Sequence, residues 1–265
     1  MSELPLAWMA AAFRKNGLQV REVKGWKSRG RQNAFAPRGV VFHHTASNRN
    51  SGADPSLAIC VHGRSDLPGP LCNVLVGRDG TVYVIAAGRA NHAGLGGPWR
   101  NIPKDSGNAY LAGVEVENNG VGEPWPEQQL RACALVFATL LVGMRRNESW
   151  LCGHKEWAPT RKIDPGKLVM ADYRRRVREA IRELAAREED KGTKGEKARP
   201  RTKPEQKGPG QPPSAGSGVY VVEAGDTLWG IARQHGMKVD QLKRLNGLKK
   251  DLIHPGDRLK VASGQ

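Results

Sequence analysis

The sequence predicts an α/β (α+β) fold: a mixed central sheet flanked by helices, with a cleft at the strand ends, followed by a small βααβ unit. Three observations carry this. Short apolar runs ending in polar residues recur along the chain, an Asp-Gly turn joins two of them, and two longer stretches show helical spacing.

Taken in order, "GVVFHHTA" (39–46) reads as a short buried strand closing on His43, His44 and Thr45. "CNVLVGRDGTVYVIAAG" (72–88) reads as a hairpin, two apolar strands flanking Arg78-Asp79-Gly80. "AGVEVENN" (112–119) alternates, so Glu115 and Glu117 share one face of a strand. "PEQQLRACALVFATLLVGMRR" (126–146) is a helix with Pro126 suited to its first turn. "SWLCGH" (149–154) is a last short strand, and 166–188 is a helix with an arginine-rich polar face.

Residues 189–218 contain no Val, Ile, Leu, Met or aromatic residue, so they cannot bury a core and are expected to form a flexible linker. This divides the chain into an N-terminal extension (1–37), a large domain (38–188), the linker, and a small domain (219–263). The extension, with "GLQVREVKGWKSRG", is expected either to pack on the large domain or to contact substrate.

The 265 residues are 38% hydrophobic and 26% charged, a globular composition, while a net charge of +16 favours a polyanionic partner. Four cysteines (Cys60, Cys72, Cys133, Cys152) are too few for a disulfide scaffold; Cys60 and Cys72 could pair, but buried free thiols fit better. The N-terminus lacks a basic region and a long apolar core, so no signal peptide is expected. No run approaches the roughly 20 apolar residues of a membrane span.

The chemistry concentrates in "GHKEWAPTRKIDPG" (153–166), read together with the His43–His44 pair. Two imidazoles at strand ends and the carboxylate of Asp164 would leave a fourth metal position open, as in a catalytic zinc site. Cys152-Gly153-His154 offers an alternative ligand pair, because alternation puts Cys152 on the face of His154. The spacing alone does not choose between a metal site and ordinary turn residues.

The set "VVFHHTA", "RDGTVYVIAAGRANHAG", "AGVEVEN" and "GHKEWAPTRKIDPG" resembles the zinc-dependent N-acetylmuramoyl-L-alanine amidases (the amidase-2 family), related in fold to the peptidoglycan recognition proteins. The resemblance spans roughly residues 38–170. It implies one Zn2+ held by His43, His154 and Asp164, with His43 rather than His44 as the ligand of the pair. It also implies Lys162 as the cation near the metal and Glu115 as the acid–base residue, with Glu117 as second choice. Thr45, Asn91 and His92 are candidates to touch substrate. Some relatives carry a tyrosine early in the second strand, where this chain has Cys72-Asn73-Val74, so no tyrosine role is expected.

The last segment, with "GDTLWGIA", "LNGL" and "PGDRLKV", resembles a LysM module, implying a strand–helix–helix–strand unit that binds N-acetylglucosamine-containing glycans. The implied groove uses Gly225, Asp226, Thr227, Ile253 and Pro255, with Leu228 and Trp229 expected in the core. Together the two resemblances imply a monomeric peptidoglycan hydrolase that cuts between N-acetylmuramic acid and L-alanine and is anchored to the wall. Anionic wall polymers are possible further partners and nucleic acid is not. The expected setting is a phage endolysin held in the host cytoplasm until lysis and then acting at the cell wall. A bacterial autolysin and a non-catalytic recognition protein are the rival readings.

Overall fold

The structure is a computed structural model and describes residues 4–31, 34–197, 217–222, 226, 228–248, 253–254 and 256–262. The chain divides into two compact units, Met1–Ile181 and Arg182–Gln265.

In the first unit the strands are β1 (Val20–Glu22), β2 (Gly39–His44), β3 (Gly63–Arg64), β4 (Leu67–Pro68), β5 (Val74–Val76), β6 (Val82–Val84), β7 (Leu111–Val116) and β8 (Leu151–Gly153). The helices are α1 (Met9–Lys15), α2 (Leu57–His62), α3 (Gly107–Tyr110), α4 (Glu127–Gly143), α5 (His154–Trp157) and α6 (Met170–Lys197), the last running beyond the unit's end. The central sheet has the order β1-β6-β5-β7-β2-β8. Only the β5–β6 hairpin pairs antiparallel, so the sheet is mixed, as expected.

The three neighbours β7, β2 and β8 are parallel, and their C-terminal ends lie side by side. Loops beyond the carboxyl ends of parallel strands are where such sheets place their ligands. The strands are apolar up to His43–His44 in β2 and Glu115 in β7 because helices cover the sheet: Val40, Val41, Phe42, Val114 and Val116 have no exposed surface. Phe42 packs with Phe137 of α4 and Tyr173 of α6, with ring centroids 4.8 and 5.0 Å away, which fixes both helices on one face.

Residues before β2 are not an appendage. β1 adds a parallel edge strand to β6, and Leu6, Met9, Phe13 and Trp26 are buried. With three residues, β1 is too short to show a period in sequence. Pro126 is the N-cap of α4 with φ −60° and ψ 139°, one position before the helix rather than within its first turn. α6 runs to Lys197, into the segment expected to be linker. The helix passes Gly192 and Gly195 and the apolar face has already ended, but the first proline after it is Pro200, so no proline stops it before Lys197. The rest of the expected linker, 198–216, lies outside the described residues.

The second unit contains β9 (Ser217–Val221), α7 (Leu228–Gln234), α8 (Val239–Leu245) and β10 (Arg258–Ala262), in the expected order, with β9 and β10 antiparallel. Its core is Val222, Leu228, Ile231, Ala232, Leu242, Leu259 and Val261. All four cysteines are buried free thiols, and no helix of the described residues is long and apolar enough to cross a membrane.

Candidate active site

His43 stands at the C-terminal end of β2, in register with Glu115 of β7, so the two side chains emerge on the same face. His154 follows β8 as the first residue of α5. Asp164 is supplied by the loop after α5, and that loop is tied down at several points. Lys155 Nζ donates to the carbonyls of Pro165 (2.9 Å) and Leu168 (2.6 Å), Lys155 N–H to the carbonyl of Asp164 (2.7 Å), and Trp125 Nε1 to the carbonyl of Gly166 (3.0 Å). The backbone of Gly166 approaches Gly120 so closely that a Cβ at 166 would stand 2.0 Å from the Gly120 carbonyl oxygen. This explains the glycine after the proline in "DPG".

The result is a buried cluster of two imidazoles and a carboxylate. His43 Nδ1 lies 2.9 Å from His154 Nδ1 and 3.1 Å from Asp164 Oδ2, and His154 Nδ1 lies 2.8 Å from the same oxygen. His43, His154 and Asp164 are 1%, 2% and 7% exposed, and together they form a group competent to hold a metal ion. The chemistry of the donor set fits one. His154 Nε2 faces the carbonyl of Ala93 at 3.0 Å, which can only accept, so Nε2 carries hydrogen and Nδ1 is the nitrogen left to offer a lone pair. Lone pairs brought this close repel unless a cation lies among them.

Burial, then the neighbouring His154, lowers the His43 pKa to about 4, so its ring is neutral at physiological pH. Burial alone would raise the pKa of Asp164. The net direction in this cluster is nevertheless downward, so Asp164 is ionised. A neutral imidazole and an ionised carboxylate are the forms that ligate a metal.

Beside the cluster, Glu115 is only partly exposed, and its Oε2 is sealed from solvent with no hydrogen-bond partner. Burial, followed by the charges of Asp164 and Glu117, pushes its pKa up to about 8, against a lowering effect from Lys162. Lys162 is half-buried in the turn after α5, and its charge acts on both Glu115 and His43.

Glu117, the second-choice acid, is fully buried and committed elsewhere. It accepts from Thr45 Oγ1 (2.7 Å), Ser47 Oγ (2.5 Å), Ser56 N–H (2.7 Å) and Ser56 Oγ (3.1 Å), and lies 3.7 Å from Arg78. Neither His44 nor Cys152 joins the metal-competent cluster. His44 Nδ1 accepts from Gly166 N–H at 2.9 Å and helps orient the Asp164 loop. Cys152 packs in the core with Val41 and Trp157.

The three expected substrate contacts each make an internal bond. Thr45 serves Glu117, Asn91 Nδ2 donates to the carbonyl of Pro68 (2.9 Å), and His92 lies behind His43, with Nδ1 2.9 Å from His43 Nε2. In the second unit, Asp226 accepts from Tyr220 Oη at 2.8 Å, and Ile253 is half-buried against the core. Gly225, Thr227 and Pro255 lie outside the described residues. Leu228 is in the core as expected, while Trp229 is half-buried.

Sequence reasoning missed Asn108, whose Oδ1 accepts from the backbone N–H groups of both His92 (2.9 Å) and Ala93 (2.8 Å). It also missed Asn73, which is fully buried. Its amide donates to the carbonyls of Ala86 and Gly88 (both 2.8 Å) and its oxygen accepts from Gly113 N–H (2.9 Å), holding β7 against the hairpin. Nothing in the local pattern marks Asn108; Asn73 stands out only as a polar residue inside an apolar strand.

Fold and site together define a mixed α/β domain carrying a His–His–Asp metal-competent cluster with an acid at its side. The family described as N-acetylmuramoyl-L-alanine amidase (Amidase_2) matches residues 33–167, and the LysM domain matches residues 220–262. The first match covers half of the chain, and the chain belongs to the N-acetylmuramoyl-L-alanine amidase family.

Among curated proteins, the chain is 54% identical over 50 residues to the "Probable endopeptidase p60" of Listeria welshimeri, covering 19% of this chain and 10% of that protein. It is 44% identical over 48 residues to the autolysin of Enterococcus faecalis, covering 18% and 6%. The chain thus spans a tenth or less of the length of these relatives. Among solved structures, AmpD aligns at 21% identity with a TM-score of 0.46, over 66% of this chain and 99% of that one. The N-acetylmuramoyl-L-alanine amidase LysC from Clostridium intestinale URNW aligns at 21% with a TM-score of 0.43, over 60% and 96%.

Proposed function

We propose that the first unit is a zinc-dependent amidase that hydrolyses the bond between N-acetylmuramic acid and the L-alanine of the stem peptide, and that the LysM unit holds it on peptidoglycan. The observation that carries this reading is the buried His43–His154–Asp164 donor set beside the Glu115 carboxyl, whose sealed Oε2 has no hydrogen-bond partner. When bound there, zinc supplies a Lewis acid and makes water acidic enough to react near neutral pH.

His43, His154 and Asp164 would hold the metal, offering Nδ1, Nδ1 and a carboxylate oxygen. Glu115 takes a proton from the attacking water and delivers it to the leaving amine of L-alanine. The raised pKa of Glu115 suits a carrier that must both accept and release a proton, and a cation at the cluster offsets the repulsion from Asp164. Lys162 steadies the negative charge that develops on the scissile carbonyl oxygen, a contribution of about 3 kcal/mol for one well-placed donor. Tethering both modules to the same polymer raises the local substrate concentration for the amidase.

The proposal extends to a lytic role, as a monomeric phage endolysin retained in the host cytoplasm until lysis. Its net charge of +16 would favour anionic wall polymers as further contacts.

Purified peptidoglycan treated with wild type and His154→Ala, with and without chelator, tests the chemistry. New N-terminal L-alanine without new reducing sugar ends, lost on mutation or chelation and restored by zinc, is the expected result. Sedimentation with the wall but no cleavage in added zinc would leave a recognition protein. Lysis of the host only when a pore-forming protein is co-expressed is the expected outcome for the endolysin role.

A further inference from the structure

We infer that His92 is a positioning residue whose ring fixes the hydrogen of His43 on Nε2 and so keeps the Nδ1 lone pair of His43 turned toward the metal position. Its purpose rests on the zinc reading above; the hydrogen-bond chain behind it does not.

The chain begins at a group that can only accept. The carbonyl oxygen of Leu111, the first residue of β7, lies 3.0 Å from His92 Nε2, so that nitrogen carries hydrogen. The histidine–carboxylate contacts among the described residues involve His43, His154 and His254, not His92. A second proton on His92 would therefore place an unpaired cation inside the protein, so the ring is neutral and Nδ1 is an acceptor. The partner of that acceptor is His43 Nε2 at 2.9 Å, which must donate. With its hydrogen on Nε2, neutral His43 has a bare Nδ1, the atom that faces His154 and Asp164.

The surroundings hold this arrangement in place. A Cβ at Gly113 would stand 2.5 Å from His92 Cγ, so only glycine at that point of β7 admits the ring. Asn108 Oδ1 accepts from the backbone N–H groups of His92 and Ala93, at 2.9 and 2.8 Å, and so fixes both residues at once. The Ala93 carbonyl in turn takes the Nε2 hydrogen of His154 at 3.0 Å. Two consecutive residues thus set the tautomers of both metal-facing histidines. Both ring nitrogens of His92 are used in this chain, which leaves none to hydrogen-bond substrate. Outer partners of this kind orient ligand imidazoles and raise their basicity.

The test compares wild type, His92→Asn and His92→Phe. Asparagine can place an oxygen where imidazole Nδ1 stood, whereas phenylalanine keeps the ring and removes the acceptor. In chelator-treated protein at neutral pH, 15N-edited NMR of the imidazoles should show His43 as the Nε2–H tautomer in wild type and H92N, and as a mixture in H92F. Competition with a chromophoric chelator should show zinc affinity weakened about 10–100-fold in H92F and restored to within a few-fold in H92N.

A wild-type His43 carrying its hydrogen on Nδ1 would overturn the inference. So would an H92F variant that binds zinc as wild type does and differs only in KM, which would make His92 a substrate contact. If H92F does not fold, the wild-type and H92N spectra decide. A wild type that binds no zinc would sink the metal reading, while the tautomer assignment would still be judged by NMR.

Discussion

Glu115 and Glu117 stand two residues apart on one strand face, and the protein treats them in opposite ways. Glu117 is saturated, its oxygens meeting Thr45, Ser47 and Ser56 beside Arg78, so its charge is satisfied where it is buried. Glu115 keeps a sealed oxygen with no partner and a pKa raised to about 8. A buried polar group left unpaired costs stability, so selection for folding alone would be expected to pair or remove it. The difference separates a carboxylate that ties down Thr45, Ser47 and Ser56 from one left with an unmet oxygen, the state the proposed proton carrier needs.

The sharpest way to break this comparison is to neutralise each acid in turn. Glu115→Gln should reduce peptidoglycan hydrolysis by about 10²–10⁴-fold, the usual loss for a general acid–base group. Zinc binding should be retained, and turnover at saturating zinc is the measurement. Glu117→Ala should act on the fold instead, because it strands the Ser56 N–H and the hydroxyls of Thr45, Ser47 and Ser56, while Arg78 keeps its pair with Glu123. Leaving a buried donor unsatisfied costs about 1–3 kcal/mol. Denaturant unfolding should show that loss, while turnover per folded molecule stays near wild type. If the two variants exchanged phenotypes, the assignment of roles would be reversed.

The raised pKa of Glu115 gives a second, pH-dependent contrast. An acid that holds its proton more tightly when folded than its ordinary 4.5 favours the unfolded state as pH rises through the gap. In metal-free protein the Glu115 contribution should therefore erode stability between about pH 4.5 and pH 8, by at most about 1.4 kcal/mol per pH unit, and level off above. Glu115→Gln should remove that slope and be more stable than wild type at pH 8. Thermal unfolding across this range in the presence of chelator measures it, and parallel curves for the two proteins would show that the carboxyl is not shifted.

The two acids also show what was legible in the sequence. Parity put both on one face, and the hydrophobic runs and the Asp-Gly turn placed β2, β5, β6, β7 and β8 near their observed positions. The His43–His154–Asp164 grouping was readable through the order of its motifs, although its members are 111 and 10 residues apart. What parity could not supply is which polar groups the loops bring to each acid. Ser56 reaches Glu117 across 61 residues and Arg78 Nε reaches Glu123 across 45, contacts with no local period. For the same reason the bonds of His92 to His43 and to the Leu111 carbonyl, reached from an irregular segment four residues beyond Gly88, had no signal in the local pattern. β1 escaped notice as a strand because three residues carry too little pattern.

The smallest expected effect tests whether the Glu117 network depends on geometry or merely on charge. Arg78 donates through Nε and Nη2 to Glu123 at 2.7 and 3.0 Å, reaches Ser47 Oγ at 3.0 Å, and stands 3.7 Å from Glu117. Arg78→Lys retains the cation but loses the two-pronged fork, which a compact ammonium cannot reproduce. The side chain is only 13% exposed, so screening by water is limited and the lost hydrogen bonds should cost about 1–2 kcal/mol. Zinc affinity and the Glu115-dependent pH slope should be unchanged, because the substitution leaves in place the Glu117 charge that acts on Glu115. If either one changed, the geometry of the Glu117 network, and not its charge alone, would reach Glu115, and the two acids could no longer be treated as separate devices on one strand.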